Sequence, residues 1–222
     1  IDKEGRLLDN HDVYLNQLTF MDSPEIITPQ KRAEIESWQA KDSNWWRVYG
    51  LGLVGKIEGL VYPHFEQVDE LPSGVMFYGL DFGSLADPTV LTAHVIVGDK
   101  LYSKELFYEY DAEMTNNKIS MKMQLAKVSR QASIYPDPDE PKSMTELRTL
   151  RWNIGETVKG KGSVEFGIKA VNNYFQHWTK DSLNCIKEQR NFRYVLDRNS
   201  NLTDNTTHRW SHGLDSRRYA VA

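Results

Sequence analysis

The chain has 222 residues, 40% of them hydrophobic, which is enough for one sizeable core and argues against bulk disorder. It has no apolar run long enough to span a bilayer and no signal peptide, so we expect a soluble, cytosolic protein without a membrane partner. Its single cysteine, Cys185, provides neither a disulfide framework nor a zinc site, and we expect a buried structural thiol. Because residue 1 is Ile rather than Met, we expect one domain of a longer protein.

The formal net charge of −4 does not by itself indicate a nucleic-acid-binding protein, but the charges are distributed unevenly. Residues 142–222 contain 14 Lys and Arg against 8 Asp and Glu, whereas residues 1–141 contain 13 against 23. This asymmetry is compatible with an acidic metal-binding region beside a basic face that follows a phosphate backbone. Solvated surface alone can produce the same pattern.

The first predicted element is a lead-in over residues 1–58. Turn-forming prolines followed by apolar residues at helical spacing predict a helix over 29–41. Four glycines within residues 50–59 indicate a linker, after which a second domain covers residues 59–222. The string GLGLVGK in this linker fits the start of a phosphate-binding loop, but Ile57 stands where the loop requires Ser or Thr, so we reject that interpretation.

The next segments predict strands and two helices. The run VMFYGLD predicts a buried strand, and residues 89–110 predict a hairpin that turns at 98–100. We expect a short strand within LVYPHFEQV and a helix over 115–131 with Thr115 as its N-cap. The run SIYPD predicts another short strand, and a helix follows with a proline at its start.

The last third predicts further α and β elements. We expect a hairpin turn at Gly160, a helix over 165–178, one or two strands over 184–198 and a terminal helix over 211–222. The order of all these elements predicts an α/β domain with a mixed sheet.

Three segments each place an aspartate directly after an apolar stretch, at Asp81, Asp137 and Asp215. A lone aspartate there is usually a helix cap or a turn residue, but carboxylates at strand ends and a helix start can converge at one edge of a sheet. Mg²⁺ and Mn²⁺ prefer oxygen ligands, and two such ions about 4 Å apart support phosphodiester hydrolysis. The pattern therefore predicts a metal-dependent phosphodiesterase.

Five motifs in order and at consistent spacing resemble the C-terminal part of tailed-phage terminase large subunits, over residues 18–222. The strings that resemble the junction between the ATPase and nuclease domains are LTFMDSPEI and WWRVYGLGLVGKIEGLVYPHF. The strings that resemble the nuclease motifs are, in chain order, YGLDFGSLADPT, IYPDPDEPKSMTELR, VKGKGSVEFGI and HRWSHGLDSRRYA. In the fourth of the five, a lysine-bearing turn leads into a helix.

The resemblance implies an α/β fold of the RNase H-like type, with a mixed central sheet flanked by helices. It also implies an endonuclease that cuts double-stranded DNA with two Mg²⁺ or Mn²⁺ ions. Carried over by position, Asp81, Asp137 and Asp215 bind the metals and are catalytic, and Asp87 assists a second metal. Asp139 lies close enough in sequence to share the role of Asp137.

Five basic or imidazole side chains near these motifs have two interpretations each. Lys159 and Lys161 either contact DNA phosphates near the metals or lie on a solvated turn. His212 either hydrogen-bonds to a metal ligand or simply starts the last helix. Arg217 and Arg218 are expected to be surface charges, unless one of them pairs with a nearby acid.

The resemblance also implies partners: the terminase small subunit, the portal protein and an upstream ATPase domain of the same chain, to which the lead-in belongs. It implies a viral protein in the host cytoplasm, transiently at the prohead portal. Two alternatives remain open. One is a non-catalytic module that docks on DNA or the portal, and the other is a different RNase H-like nuclease such as a junction resolvase.

Overall fold

The computed structural model describes residues 18–23, 25–41, 43–53, 59–84, 86–197 and 201–222. The chain forms two compact units, Ile1–Glu58 and Gly59–Ala222. The rejected phosphate-binding string at residues 50–56 and the start of the predicted lead-in lie partly outside the described residues.

The described part of the first unit is helical. Helix α1 (Pro29–Lys41) agrees with its predicted bounds and is followed by α2 (Ser43–Trp45) and a π-helical turn, Trp46–Gly50. Helix α1 buries none of its residues fully. Aromatic contacts connect these elements, because the Trp45 ring lies 5.0 Å from the rings of both Trp38 and Tyr49.

Within the described residues of the second unit, six strands form one mixed sheet in the order β1-β6-β4-β3-β2-β5. Strand β3 pairs antiparallel with both β2 and β4. The other pairings are parallel: β5 with β2, β6 with β4, and β1 with β6. The strands are β1 (Glu66–Val68), β2 (Met76–Asp81), β3 (Thr89–Val97), β4 (Lys100–Glu109), β5 (Ile134–Pro136) and β6 (Phe175–Thr179). A separate antiparallel ribbon consists of β7 (Tyr194–Leu196) and β8 (Leu202–Thr206).

Helices cover both faces of the sheet. Helices α3 (Asn116–Leu125) and α4 (Pro141–Thr149) enclose one apolar core with β2 and β3. Helices α5 (Ser163–Asn172), α6 (Leu183–Gln189) and α7 (His212–Val221) enclose a second core with β4 and β6. Tyr78 and Leu80 of β2 lie in the first core. Because side chains alternate along a strand, Gly79 and Asp81 face the opposite side, where α7 lies.

Helix α7 packs directly on β2, and Gly79 permits this contact. A Cβ atom at Gly79 would overlap the backbone carbonyl group of Ser216 on α7. The hydroxyl group of Ser216 lies 2.7 Å from that of Thr92 on β3, which adds a buried polar contact between the helix and the sheet. The glycine therefore sets how closely the last helix approaches the centre of the sheet.

Several local predictions are confirmed. The hairpin of β3 and β4 turns at Gly98 and Asp99, and Gly98 adopts a left-handed φ of 61°. Thr115 is the N-cap of α3, since its side chain accepts a hydrogen bond from the backbone of Lys118. Helix α3 ends at Leu125, earlier than predicted, and the chain then turns at Lys127, which has a φ of 57°.

Two local predictions are wrong, and a third is confirmed only in part. Residues 165–178 are not one helix, because α5 ends at Asn172 and β6 begins at Phe175, where its backbone pairs with β4. The region 184–198 contains one strand, β7, as predicted, but its first part is helix α6, with Cys185, Ile186 and Gln189 facing the interior at helical spacing. The turn around Gly160 joins no hairpin and leads into α5 instead.

Cys185 is free and fully buried, as expected. Among the described residues, none of the helices combines the length and the apolar character needed to cross a bilayer.

We expect Gly79→Ala to destabilise the second unit by about 1–3 kcal/mol or more, because a methyl group there forces α7 away from β2. Denaturant unfolding monitored by tryptophan fluorescence measures the change. Gly98→Asn is the control, because a side chain there meets no atom within 4 Å and asparagine tolerates the left-handed backbone. Equal stability of Gly79→Ala and the unsubstituted chain would contradict the close packing of α7.

Candidate metal centre

Two of the predicted acids lie side by side at one edge of the sheet. Asp81 is the last residue of β2, and β5 runs parallel beside it with Leu80 opposite Pro136. The backbone N–H of Asp137 donates to the carbonyl oxygen of Leu80 at 2.9 Å, which extends the pairing by one residue. Asp81 is buried, whereas Asp137 is partly exposed.

The third acid, Asp215, lies in the first turn of α7. Burial is the largest cause that raises the pKa of Asp81 well above its usual value, and the charges of Asp215 and Asp137 raise it further. Burial also raises the pKa of Asp137, with added repulsion from Asp139 and Asp215. Asp137 and Asp215 therefore lie near enough to Asp81 to raise its pKa, although among the described residues these three are not a group whose ligand atoms all lie within 4.8 Å of one another; they are named here the carboxylate cluster.

The carboxylate cluster fits a divalent cation on its donor chemistry. Its members offer carboxylate oxygens, which hard cations such as Mg²⁺ and Mn²⁺ prefer. Arg218 provides a positive charge beside the cluster, because its Nε donates a hydrogen bond to Asp215 Oδ1 at 2.8 Å. Burial and mutual repulsion nevertheless raise the pKa values of Asp81 and Asp137, so positive charge near them would favour their ionised forms.

His212 connects the carboxylate cluster to the fourth predicted acid. Its Nδ1 lies 3.2 Å from Asp81 Oδ2, and its Nε2 lies 3.6 Å from Asp87 Oδ1. His212 therefore both starts α7 and contacts Asp81, so the two interpretations made from sequence hold together.

A second histidine stands beside this contact. The rings of His208 and His212 meet edge to face with 5.3 Å between centroids. Asp87, His208 and His212 each offer a ligand atom, and these atoms all lie within 4.8 Å of one another. This group, named here the Asp–His–His group, is a candidate metal site. Sequence reasoning missed His208, although the i,i+4 spacing of the two histidines in HRWSH could have indicated the pair.

Asp139 lies next to Asp137 and adds to the repulsion on its carboxylate. Its side chain is 77% exposed and lies 2.8 Å from Lys159 Nζ. Its backbone N–H donates to Asp137 Oδ1 at 2.9 Å, which helps to orient the Asp137 carboxylate. Lys159 also donates to the carbonyl oxygen of Pro138 and lies against the Asp137 loop, whereas Lys161 is exposed on the same turn.

A buried carboxylate from another helix caps α7. Glu188 on α6 accepts hydrogen bonds from the backbone N–H groups of His212 at 3.1 Å and Gly213 at 2.7 Å. It also accepts from the hydroxyl group of Tyr108 at 2.8 Å. Ser211, at the N-cap position, makes no side-chain cap of its own. Glu188 therefore fixes the start of the helix that carries His212 and Asp215.

The cap has an electrostatic cost. Burial raises the pKa of Glu188 to about 7, despite the lowering effects of its hydrogen bonds. Sequence reasoning did not identify Glu188, because the segment that carries it was predicted as strand.

The two arginines of α7 behave differently. Arg218 pairs with Asp215, as one of the two was expected to do. The prediction that Arg217 is a surface charge is wrong, because its side chain is fully buried. Its guanidinium lies 4.7 Å from the Tyr62 ring and 4.9 Å from the Trp178 ring, and the aromatic faces compensate for part of the lost hydration.

The chain resembles solved structures, although no protein-family model and no curated protein matches it. The large terminase nuclease domain of bacteriophage SPP1, with bound Mn, matches with a TM-score of 0.62 and 20% identity, over 72% of this chain and 96% of that domain. The large terminase nuclease of thermophilic phage G20c, with bound magnesium, gives 0.53 and 16%, over 74% of this chain and 97% of that one.

A longer relative matches more of the chain. The large terminase of another thermophilic bacteriophage aligns with 90% of this chain, with a TM-score of 0.61 and 18% identity. The chain spans about half of that protein, since 53% of its length is covered.

The fold is therefore RNase H-like, as predicted, with a mixed sheet between two helical layers. In particular, it is the fold of the nuclease domain of phage large terminases, matched across most of the chain. At these sequence identities the structural likeness establishes the fold and does not by itself establish the activity.

Asp81→Asn is expected to stabilise the metal-free chain at pH 7, because burial and the neighbouring acids raise the pKa of Asp81 and so penalise its charged form. The folded-state pKa of Asp81 is raised, so the unsubstituted chain loses stability as the pH rises above the ordinary value of 3.8. Asparagine has no such loss, so its advantage should shrink as the pH falls from 7 towards 4.

The measurement is denaturant unfolding in chelator at several pH values. Asp99→Asn in the exposed β3–β4 turn is the matched control, with an expected change of less than about 0.5 kcal/mol. If Asp81→Asn is less stable than the unsubstituted chain at pH 7, the ionised carboxylate of Asp81 does not reduce the stability of the folded chain.

Proposed function

We propose that this chain is the C-terminal nuclease part of a phage large terminase, a divalent-metal-dependent endonuclease that cuts concatemeric double-stranded DNA. The observation that carries the proposal is the convergence of Asp81, Asp137 and Asp215 at one edge of a sheet with this fold. Bound manganese and magnesium in the SPP1 and G20c nuclease domains support the same chemistry here.

The residues that would hold Mg²⁺ or Mn²⁺ are Asp81, Asp137 and Asp215, with Asp87 assisting a second ion. When bound, such ions lower the pKa of a water nucleophile and stabilise the charge that develops on the phosphate oxygens. Asp81 contributes a buried carboxylate whose position is fixed by β2 and by the ring of His212. Asp137 is oriented by the backbone N–H of Asp139, and Asp215 by Arg218.

The DNA backbone would lie along the basic part of the chain. Lys159 sits beside the Asp137 loop, and Lys161 is exposed on the same turn, so both can contact phosphates next to the carboxylate cluster. The excess of Lys and Arg after residue 142 provides charge for binding without sequence preference.

The remaining parts of the proposal concern the longer protein. Residues 1–58 would be the end of an ATPase domain of the same chain and its linker to the nuclease domain at 59–222. Support comes from the thermophilic phage large terminase, a longer chain with which this one aligns over 90% of its length. The small terminase subunit and the portal protein are the proposed protein partners, in the host cytoplasm and at the prohead portal.

Nicking and linearisation of supercoiled plasmid test the proposal, with Mg²⁺, Mn²⁺ or chelator added. Asp137→Asn should slow metal-dependent cleavage roughly 100-fold or more, because it weakens binding of the ion that stabilises the charge developing on the phosphate oxygens. Asp139→Asn should have a much smaller effect, because its exposed side chain faces Lys159. Asp99→Asn, at the opposite edge of the sheet, should cleave at the rate of the unsubstituted chain.

Other outcomes favour the alternatives. DNA binding that is equal in chelator and metal, without cleavage that depends on Asp137, would indicate a docking module. A strong preference for branched over linear duplex DNA would indicate a junction resolvase.

A further inference from the structure

We propose that a surface of basic side chains around Trp210 binds the phosphate backbone of duplex DNA to one side of the carboxylate cluster. This surface, named here the Trp210 basic face, consists of Lys187, Arg190, Arg193, Arg209 and Trp210. The choice of DNA as the partner rests on the proposed function, whereas the surface is defined by its own contacts and charges.

Two cations lie close to the ring of Trp210. The Nζ atom of Lys187 lies 5.5 Å from the ring centroid, and the guanidinium carbon of Arg209 lies 5.0 Å from it. Lys187 belongs to α6 and Arg209 to the 3₁₀ turn His208–Trp210, so the ring joins cations from two separate elements. Because an indole ring attracts a cation to its face, Trp210 holds both charges at a defined place on the surface.

Two further arginines extend this surface along the chain. Arg190 is the C-cap residue of α6, and its guanidinium lies 5.9 Å from the Phe65 ring. The backbone N–H of Thr207 donates to the carbonyl oxygen of Arg193 at 2.9 Å. Arg193 therefore lies beside the segment that leads into Arg209. The side chains of Lys187 and of all three arginines are exposed.

The four cations of the Trp210 basic face form no ion pair with a carboxylate in the part of the chain that the structure describes. Lysines elsewhere in the second unit do form such pairs, at 2.9 Å or less, namely Lys104, Lys118, Lys122, Lys169 and Lys180. Neighbouring cations without acidic partners repel one another, and an anion lying across them removes this repulsion. Charge spread over a helix, its cap and a separate turn suits a polyanion better than a single small ion.

The carboxylate cluster lies between the Trp210 basic face and the turn that carries Lys159. In the order of the strands, β2 with Asp81 lies between β5 and β3, and Lys159 contacts the loop that follows β5. Helix α6 lies on the other side, because its Glu188 accepts a hydrogen bond from Tyr108 of β4. A duplex that contacts both basic regions would therefore pass over the acids.

The test is binding of a fluorescently labelled duplex to the 222-residue chain in chelator, measured by anisotropy at several salt concentrations. The double variant Lys187→Gln/Arg209→Gln should reduce the slope of log affinity against log salt by about 2, since each lost phosphate contact removes about 1. Binding of unrelated DNA sequences should weaken equally, because phosphate contacts carry no sequence information.

Two control variants accompany the double variant. Lys118→Gln/Lys122→Gln on α3 removes the same charge and should keep the original slope, because both lysines are already paired with acids. Lys187→Arg/Arg209→Lys retains both charges of the Trp210 basic face and should also keep the slope. Circular dichroism checks that each variant is folded.

Measuring binding in chelator separates this inference from the proposed nuclease activity. If the Trp210 basic face binds duplex DNA but the chain cuts no plasmid in Mg²⁺ or Mn²⁺, the proposed function fails and the inference stands. The inference is overturned if Lys187→Gln/Arg209→Gln keeps the slope of the unsubstituted chain, or if the α3 control lowers the slope as much. It is also overturned if inorganic phosphate at constant ionic strength displaces the duplex as effectively as unlabelled DNA of equal phosphate content.

Discussion

The contact between α7 and β2 is the constraint on which the rest of the site depends. Gly79 has no side chain, so the backbone of Ser216 can rest directly on the centre of the sheet. This close approach places Asp215 and His212 within reach of Asp81 at the end of β2. Glu188 then fixes the start of α7 through two backbone N–H groups. A glycine and a buried glutamate therefore set the position of the helix that carries Asp215 and His212.

The convergence of acids opposes stability, and this is informative about function. Burial and mutual repulsion raise the pKa values of Asp81 and Asp137, so holding both ionised costs free energy. A fold selected only for stability would place such carboxylates apart. Structural ion-pair networks also shift pKa values, but here two members of the carboxylate cluster are destabilised in their charged forms. That imbalance is what a site for divalent cations requires.

The sequence predicted Asp81 and Asp137 as site residues because their signal is local: an apolar strand followed at once by an aspartate. Asp215 was predicted from its short motif, HGLDSRRYA, although it lies in the first turn of a helix and not at the end of a strand. His208 and Glu188 were missed because their roles depend on partners distant in sequence, such as Asp87 and the start of α7. Segment 175–189 was assigned wrongly because tertiary pairing with β4 turns Phe175 into strand, whereas core packing makes Leu183–Gln189 a helix.

The most direct test of the central claim is a crystal structure of the chain grown with Mn²⁺, with anomalous scattering used to locate the ions. The account predicts a manganese peak within bonding distance of carboxylate oxygens of Asp81, Asp137 and Asp215. Manganese bound elsewhere on the chain, with these three carboxylates making no metal bond, would contradict it.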